Sequence, residues 1–158
     1  MLLNNFSNIL SAKLTSNGSL SDKVNYIKTT DETIYENKIR TNDIYFSQQF
    51  NNNNQGGIKF ILANDENEID YYDYKIDNID TYLTGISTTI NNSNKYIISK
   101  IVRNNTTDNI IINTIGLIIH CYINSQSIFK DILIYKTKLN ETIIIEPGET
   151  KTFTIKIG

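Results

Sequence analysis

The chain has 158 residues, 39% of them hydrophobic and 10% aromatic, with a formal charge of −2 and an isoelectric point near 5.4. That is enough for one domain, and a chain of this size buries roughly 70% of its unfolded surface without needing a disulfide or metal. No segment carries the basic excess of a nucleic-acid binder, no run approaches the roughly 18 apolar residues of a membrane span, and a lone cysteine, Cys121, excludes an intramolecular disulfide and points to a reducing compartment.

Leu2, Leu3, Phe6, Ile9, Leu10 and Leu14 recur mainly at spacings of three and four, which predicts a helix of about three turns. Gly18 is its natural C-terminal cap. Residues 1–19 are therefore expected as a helix covering one end of a sheet, or as an arm that packs on a neighbouring subunit. The first six residues lack the basic region and continuous apolar core of an export signal, so synthesis as a soluble protein in a cytoplasm is expected.

Strand-like pieces follow at 24–27, 33–35 and 43–46, then an Asn-rich loop at 51–57 that nothing apolar anchors. Residues 58–62 open the second part as a strand. Asp65, Glu66, Glu68, Asp70, Asp73, Asp77 and Asp80 surround Tyr71, Tyr72 and Tyr74. Their spacing does not follow a calcium-binding loop, so a solvated, turn-like surface is expected. Residues 82–90 and 95–102 read as a strand pair, and 104–109 as a further turn.

The last third is the most regular stretch. The runs 110–119, 132–139 and 142–145 are short, β-branched and bounded by turn residues. Pro147 and Gly148 suit the second and third positions of a type II turn. After it, Phe153, Ile155 and Ile157 should face a core while Thr152, Thr154 and Lys156 face water. We read this as a closing hairpin. Strands at intervals of about ten residues predict a mainly β fold, an antiparallel β-sandwich formed as a single domain over 1–158.

Chemistry is sparse. His120 and Cys121 are adjacent in a predicted strand, so their side chains should point to opposite faces and are poorly placed to form a catalytic dyad. With one His and one Cys, zinc ligation by those residues fails by counting. Neither a Gly-x-Ser-x-Gly elbow nor a phosphate-binding glycine loop is present. Two carboxylates facing across a cleft would be needed for glycoside hydrolysis, and sequence spacing does not show that. No catalytic, cofactor-binding or metal-ligating residue is assigned, no cofactor is expected, and the chain is read as a non-enzyme.

Residues 58–158 nevertheless carry an ordered set of pieces: a strand at 58–62, Asp73-Tyr74-Lys75-Ile76, Arg103 with the turn after it, Thr114-Ile115-Gly116-Leu117, Ile134-Tyr135-Lys136-Thr137-Lys138-Leu139, and Pro147-Gly148-Glu149 with the run 152–157. In this order they resemble small virion proteins of tailed bacteriophages that have an Ig-like C-terminal β-sandwich. The chain departs from that pattern at Thr114, where Glu is usual, and at Lys136, where Arg is usual. The resemblance implies a structural protein of a phage particle, in capsid decoration, a head-fibre anchor or the neck or tail. It implies assembly with other virion proteins and with copies of itself, and partners that include neither nucleic acid nor membrane. The alternative is a carbohydrate- or receptor-binding β-sandwich of a phage tail or fibre, with Tyr71, Tyr72 and Tyr74 stacking on sugar rings. Within the local pattern, Gly116 suggests a bulge or a close backbone approach, and Lys136 and Lys138 should meet solvent or a partner.

Overall fold

The β-branched runs pair into two antiparallel sheets. The structure, a computed structural model, describes residues 1–6, 27–31, 34–35, 44–45, 57–92, 95–123 and 128–157. Its strands are β1 (Ile27–Lys28), β2 (Ile34–Tyr35), β3 (Ile44–Tyr45), β4 (Gly57–Ala63), β5 (Thr84–Asn92), β6 (Lys95–Arg103), β7 (Ile110–Ile123), β8 (Ile128–Ile145) and β9 (Thr150–Ile157). In the first sheet β7 is central: β8 runs along one edge, and β4 and β3 lie end to end along the other. The second sheet has the order β5-β6-β9, and β1 with β2 forms a separate small pair. Of the expected loop at 51–57, only Gly57 lies within the described residues, where it opens β4.

The strand period of two sends Phe60 and Leu62 of β4, and Ile115, Leu117 and Ile119 of β7, to one face. There they meet Ile98 and Val102 of β6 and Phe153 and Ile155 of β9 in one core. The mainly β, sandwich-like architecture thus agrees with the sequence reading, as does the β5–β6 pair. In β9 the alternation also holds, with Phe153 and Ile155 buried and Thr152, Thr154 and Lys156 exposed.

Three expectations need correction. The Pro147-Gly148 turn has the predicted local form, with Gly148 at φ 79° and the Glu149 N–H donating to the Glu146 carbonyl at 3.0 Å. It does not close a hairpin, because residues 143–145 pair with β7 while β9 pairs with β6. A type II turn splays the chains that flank it instead of matching their twist, so here it carries the chain from one sheet to the other. Next, the runs 132–139 and 142–145 are one strand. Between the pairs Ile112–Ile143 and Thr114–Lys138, β7 advances two residues and β8 five, so β8 absorbs the polar Asn140 and Glu141 in a bulge and continues.

The third correction concerns the N-terminus. Of the expected helix, residues 1–6 are described: 4–6 are helical and 1–3 are not, while residues 7–19 lie outside the described residues. Residues 1–3 run extended along β8. Leu2 bridges Tyr135, the Leu3 N–H donates to the Ile134 carbonyl at 2.9 Å, and the Met1 amino group donates to the Lys136 carbonyl at 2.8 Å. Leu3 is fully buried beside Ala63, Ile76, Ile118 and Leu133 in a second cluster, a burial that contributes about 1.5–3 kcal/mol. The free edge of β8 offered unpaired backbone groups, and satisfying them drew Leu2 and Leu3 into extended backbone. The first sheet is consequently covered on both faces: by the other sheet on one side, and by Leu3 with the 64–83 connection on the other.

Candidate functional site

The acidic stretch is an ordered connection between β4 and β5, and its anchor is Asp65. Asp65 and Lys136 are 0% and 2% exposed, with the ammonium 2.9 Å from the Asp65 carboxylate and 3.0 Å from that of Asp73. Asp65 also accepts from the Asn67 N–H and side-chain amide, each at 2.9 Å, and from the Asp77 N–H at 3.2 Å. Its own N–H donates to Asn113, and its carbonyl accepts from Thr114 and Lys138. Burial alone pushes the Asp65 carboxyl up. The Lys136 bond and the two backbone N–H groups outweigh it and hold the carboxyl below its ordinary value. Lys136 shows the converse, since burial lowers its ammonium but the two aspartates hold it above the ordinary lysine value.

This corrects two sequence readings. Asp65 is not a solvated carboxylate, and Lys136 does not meet solvent. The alternation along β8 is as expected, placing Lys136 across from Gly116 on the face away from Leu117 and Tyr135. That face is covered by the 64–83 connection, which no local pattern announces. Gly116 makes the cover possible: a Cβ there would lie 2.3 Å from the Ile76 Cδ1 and 3.0 Å from the Tyr135 carbonyl. The close approach expected at Gly116 is present, and the second register shift, between Leu117 and Ile118, adjoins it.

Above this anchor the connection presents Tyr71 and Tyr72, an edge-to-face pair with ring centroids 5.2 Å apart. Tyr72 is 70% exposed, and the Asn4 N–H donates to the Tyr71 carbonyl at 2.9 Å. Tyr74 does not join them as an open platform, because the Lys28 ammonium sits 3.5 Å from its ring centre.

His120 is tied across the strand pair to Asp131, with Nδ1 2.5 Å from the carboxylate, and Lys59 reaches the same carboxylate at 3.1 Å. This is a partly exposed charge cluster joining β4, β7 and β8. Cys121 follows in β7, and its side chain is outside the described residues. Among the described residues, no three His, Cys, Asp or Glu side chains come together in a metal-holding group, and no helix is long and apolar enough to cross a membrane.

A feature that the sequence reading missed lies at the end of the sandwich where β4–β5 and β6–β7 are connected. An open depression of about 630 Å³ is walled by Asn78, Ile79, Asp80 and Tyr82 on one side and by Thr106 and residues 108–111 on the other. Both walls are fixed. Ile79 bridges Ala63, the Asp80 N–H donates to the Leu62 carbonyl at 2.8 Å, and the Asp80 carboxylate accepts from the Tyr82 and Leu83 N–H groups at 3.1 and 2.8 Å. Asn104, 0% exposed, holds the other wall and the Pro147-Gly148 turn together. Its amide donates to the Asp108 and Ile145 carbonyls, each at 2.8 Å, and its side-chain oxygen accepts from the Thr106 N–H at 2.9 Å. The Gly148 N–H donates to the Asn104 carbonyl at 2.7 Å. The sequence signal for the first wall was Asp80 two residues before Tyr82, a spacing that suits a side-chain-to-backbone turn. Comparison with protein-family models, with curated proteins and with solved structures finds no match for this chain.

Proposed function

We propose that the chain is a non-enzymatic structural protein of a tailed phage particle, with an Ig-like sandwich, acting through protein–protein assembly in capsid decoration, a head-fibre anchor or the neck or tail. Its partners are other virion proteins and further copies of itself. The observation that carries this reading is the anchored loop that presents the exposed Tyr71 and Tyr72. Exposed tyrosines on a backbone fixed by a buried ion pair lose little freedom on association, and tyrosine is enriched at the centres of interfaces. Asp73, Ile76 and Gly116, which carry part of the resemblance to virion proteins, contribute to that anchor together with Lys136.

The test is the mass of the purified protein by light scattering across a concentration series. A defined oligomer that Tyr72→Asp returns to monomer supports assembly. A protein that stays monomeric at every concentration and retains no purified virion protein overturns it. A second reading, a carbohydrate- or receptor-binding module of a tail or fibre, is favoured by one observation: Tyr82 is 69% exposed at the edge of the open depression.

A further inference from the structure

We propose that the depression between residues 78–82 and 106–111 is a binding site for a neutral sugar ring, stacked on Tyr82 and held by the carboxylates and amides around it. The inference deepens the second reading above and stands apart from assembly. It places the ligand on Tyr82 and not on the Tyr71–Tyr74 group.

The chemistry of the lining selects the ligand class. Tyr82, Ile79 and Ile111 offer exposed apolar surface, which suits the C–H face of a pyranose. Asp80, Asp108, Asn64, Asn78 and Asn109 line the same space. Carboxylates accept hydroxyl protons, and amides both donate and accept, the mixed set that a ring of hydroxyl groups requires. No Lys, Arg or His is among the lining residues, so an anionic ligand would meet two aspartates without compensation. The nearby Lys100 ammonium is engaged with the Phe60 carbonyl at 3.1 Å and does not line the depression.

Preorganisation is the second support. The Asp80 Oδ1 is committed to the Tyr82 and Leu83 N–H groups, which fixes the carboxylate and leaves its other oxygen directed by that bond. Asn78 takes a left-handed φ of 50° while its amide donates to the Asn64 carbonyl at 3.2 Å, a conformation that asparagine tolerates better than most residues. Asn104 sets the opposite wall from beneath. The site therefore needs little ordering when it binds, which is how a shallow site retains a weak ligand.

The experiment is an amide NMR titration of the full chain with methyl glycosides of glucose, galactose, mannose and N-acetylglucosamine. Methyl glucuronide serves as the anionic counterpart, and a short lysine-bearing peptide tests protein docking. Saturable shifts confined to residues 78–83 and 106–111 are expected from at least one neutral glycoside. Tyr82→Ala should weaken that binding about tenfold, the loss of one stacked ring, while Tyr72→Ala leaves it unchanged. Tighter binding of the glucuronide than of its neutral parent overturns the proposal, as does binding of the peptide with none of the glycosides. Glycoside shifts centred on residues 71–74 would keep the second reading and overturn this site. The absence of any glycoside binding would overturn this site and the carbohydrate form of the second reading, and leave the assembly reading untouched.

Discussion

Lys136→Met keeps most of the side chain's length and removes its ammonium, both the charge and the hydrogen-bond donors. Asp65 would remain fully buried with hydrogen bonds from Asn67 and Asp77 but no counter-ion. Removing one partner of such a pair costs about 3–5 kcal/mol, because the remaining charge cannot reach water. Asp73 contributes less to the loss, since it is already partly exposed and can turn outward. In a chain of this length each kcal/mol lowers the melting temperature by roughly 2–4 °C, so a fall of about 10 °C is expected. Urea unfolding followed by circular dichroism should show the same loss as a lower midpoint at unchanged slope. The double variant Lys136→Met with Asp65→Asn removes the stranded charge and should recover much of the loss, which tests the mechanism apart from packing. A single variant that loses less than about 1 kcal/mol, or a double variant no better than the single, would refute the assignment of this ion pair as the anchor.

The same pair predicts how stability depends on pH. The Asp65 value is depressed in the folded state, so its contribution is complete above the ordinary value of 3.8 and is lost as pH falls through the lowered one. The Lys136 value is raised, so its contribution is complete below 10.5 and is lost as pH rises through the raised one. Melting temperatures across pH should flatten at both extremes in the double variant; an unchanged acid limb would contradict the assignment. Gly116→Ala forces Ile76 or the Tyr135 backbone to move and should cost about 1–3 kcal/mol. Ile76→Val, which removes the clashing methyl, should restore part of it in thermal melts. Asn104→Ala leaves the buried Ile145 carbonyl without its side-chain donor and loosens two loops, at a cost of about 1–3 kcal/mol. Hydrogen exchange should then quicken at residues 106–108 and 148–149 together. Gly148→Ala meets no atom within 4 Å, so its cost of about 1–2 kcal/mol would come from the left-handed backbone alone.

Sequence by itself determined the local elements wherever a backbone rule decides them. The β-branched runs became strands, the alternation in β9 set its buried face, Pro147-Gly148 took the positive-φ turn, and Gly116 marked a close approach. These depend on sterics within a few residues, which sequence displays directly. Tertiary structure decided what those elements meet. Lys136 was assigned to the correct strand face, but whether that face met water depended on a connection some sixty residues earlier in the chain. Leu2 and Leu3 belonged to a helical spacing, yet the open edge of β8 provided them with backbone partners that a local pattern does not contain. The depression around Tyr82 exists only because Asp80 and Asn104, far apart in sequence, fix two loops at the same end of the sandwich. Long-range pairing, bulge placement and the covering of a sheet face arise from which surfaces compete for burial, a competition settled only when the whole chain has folded.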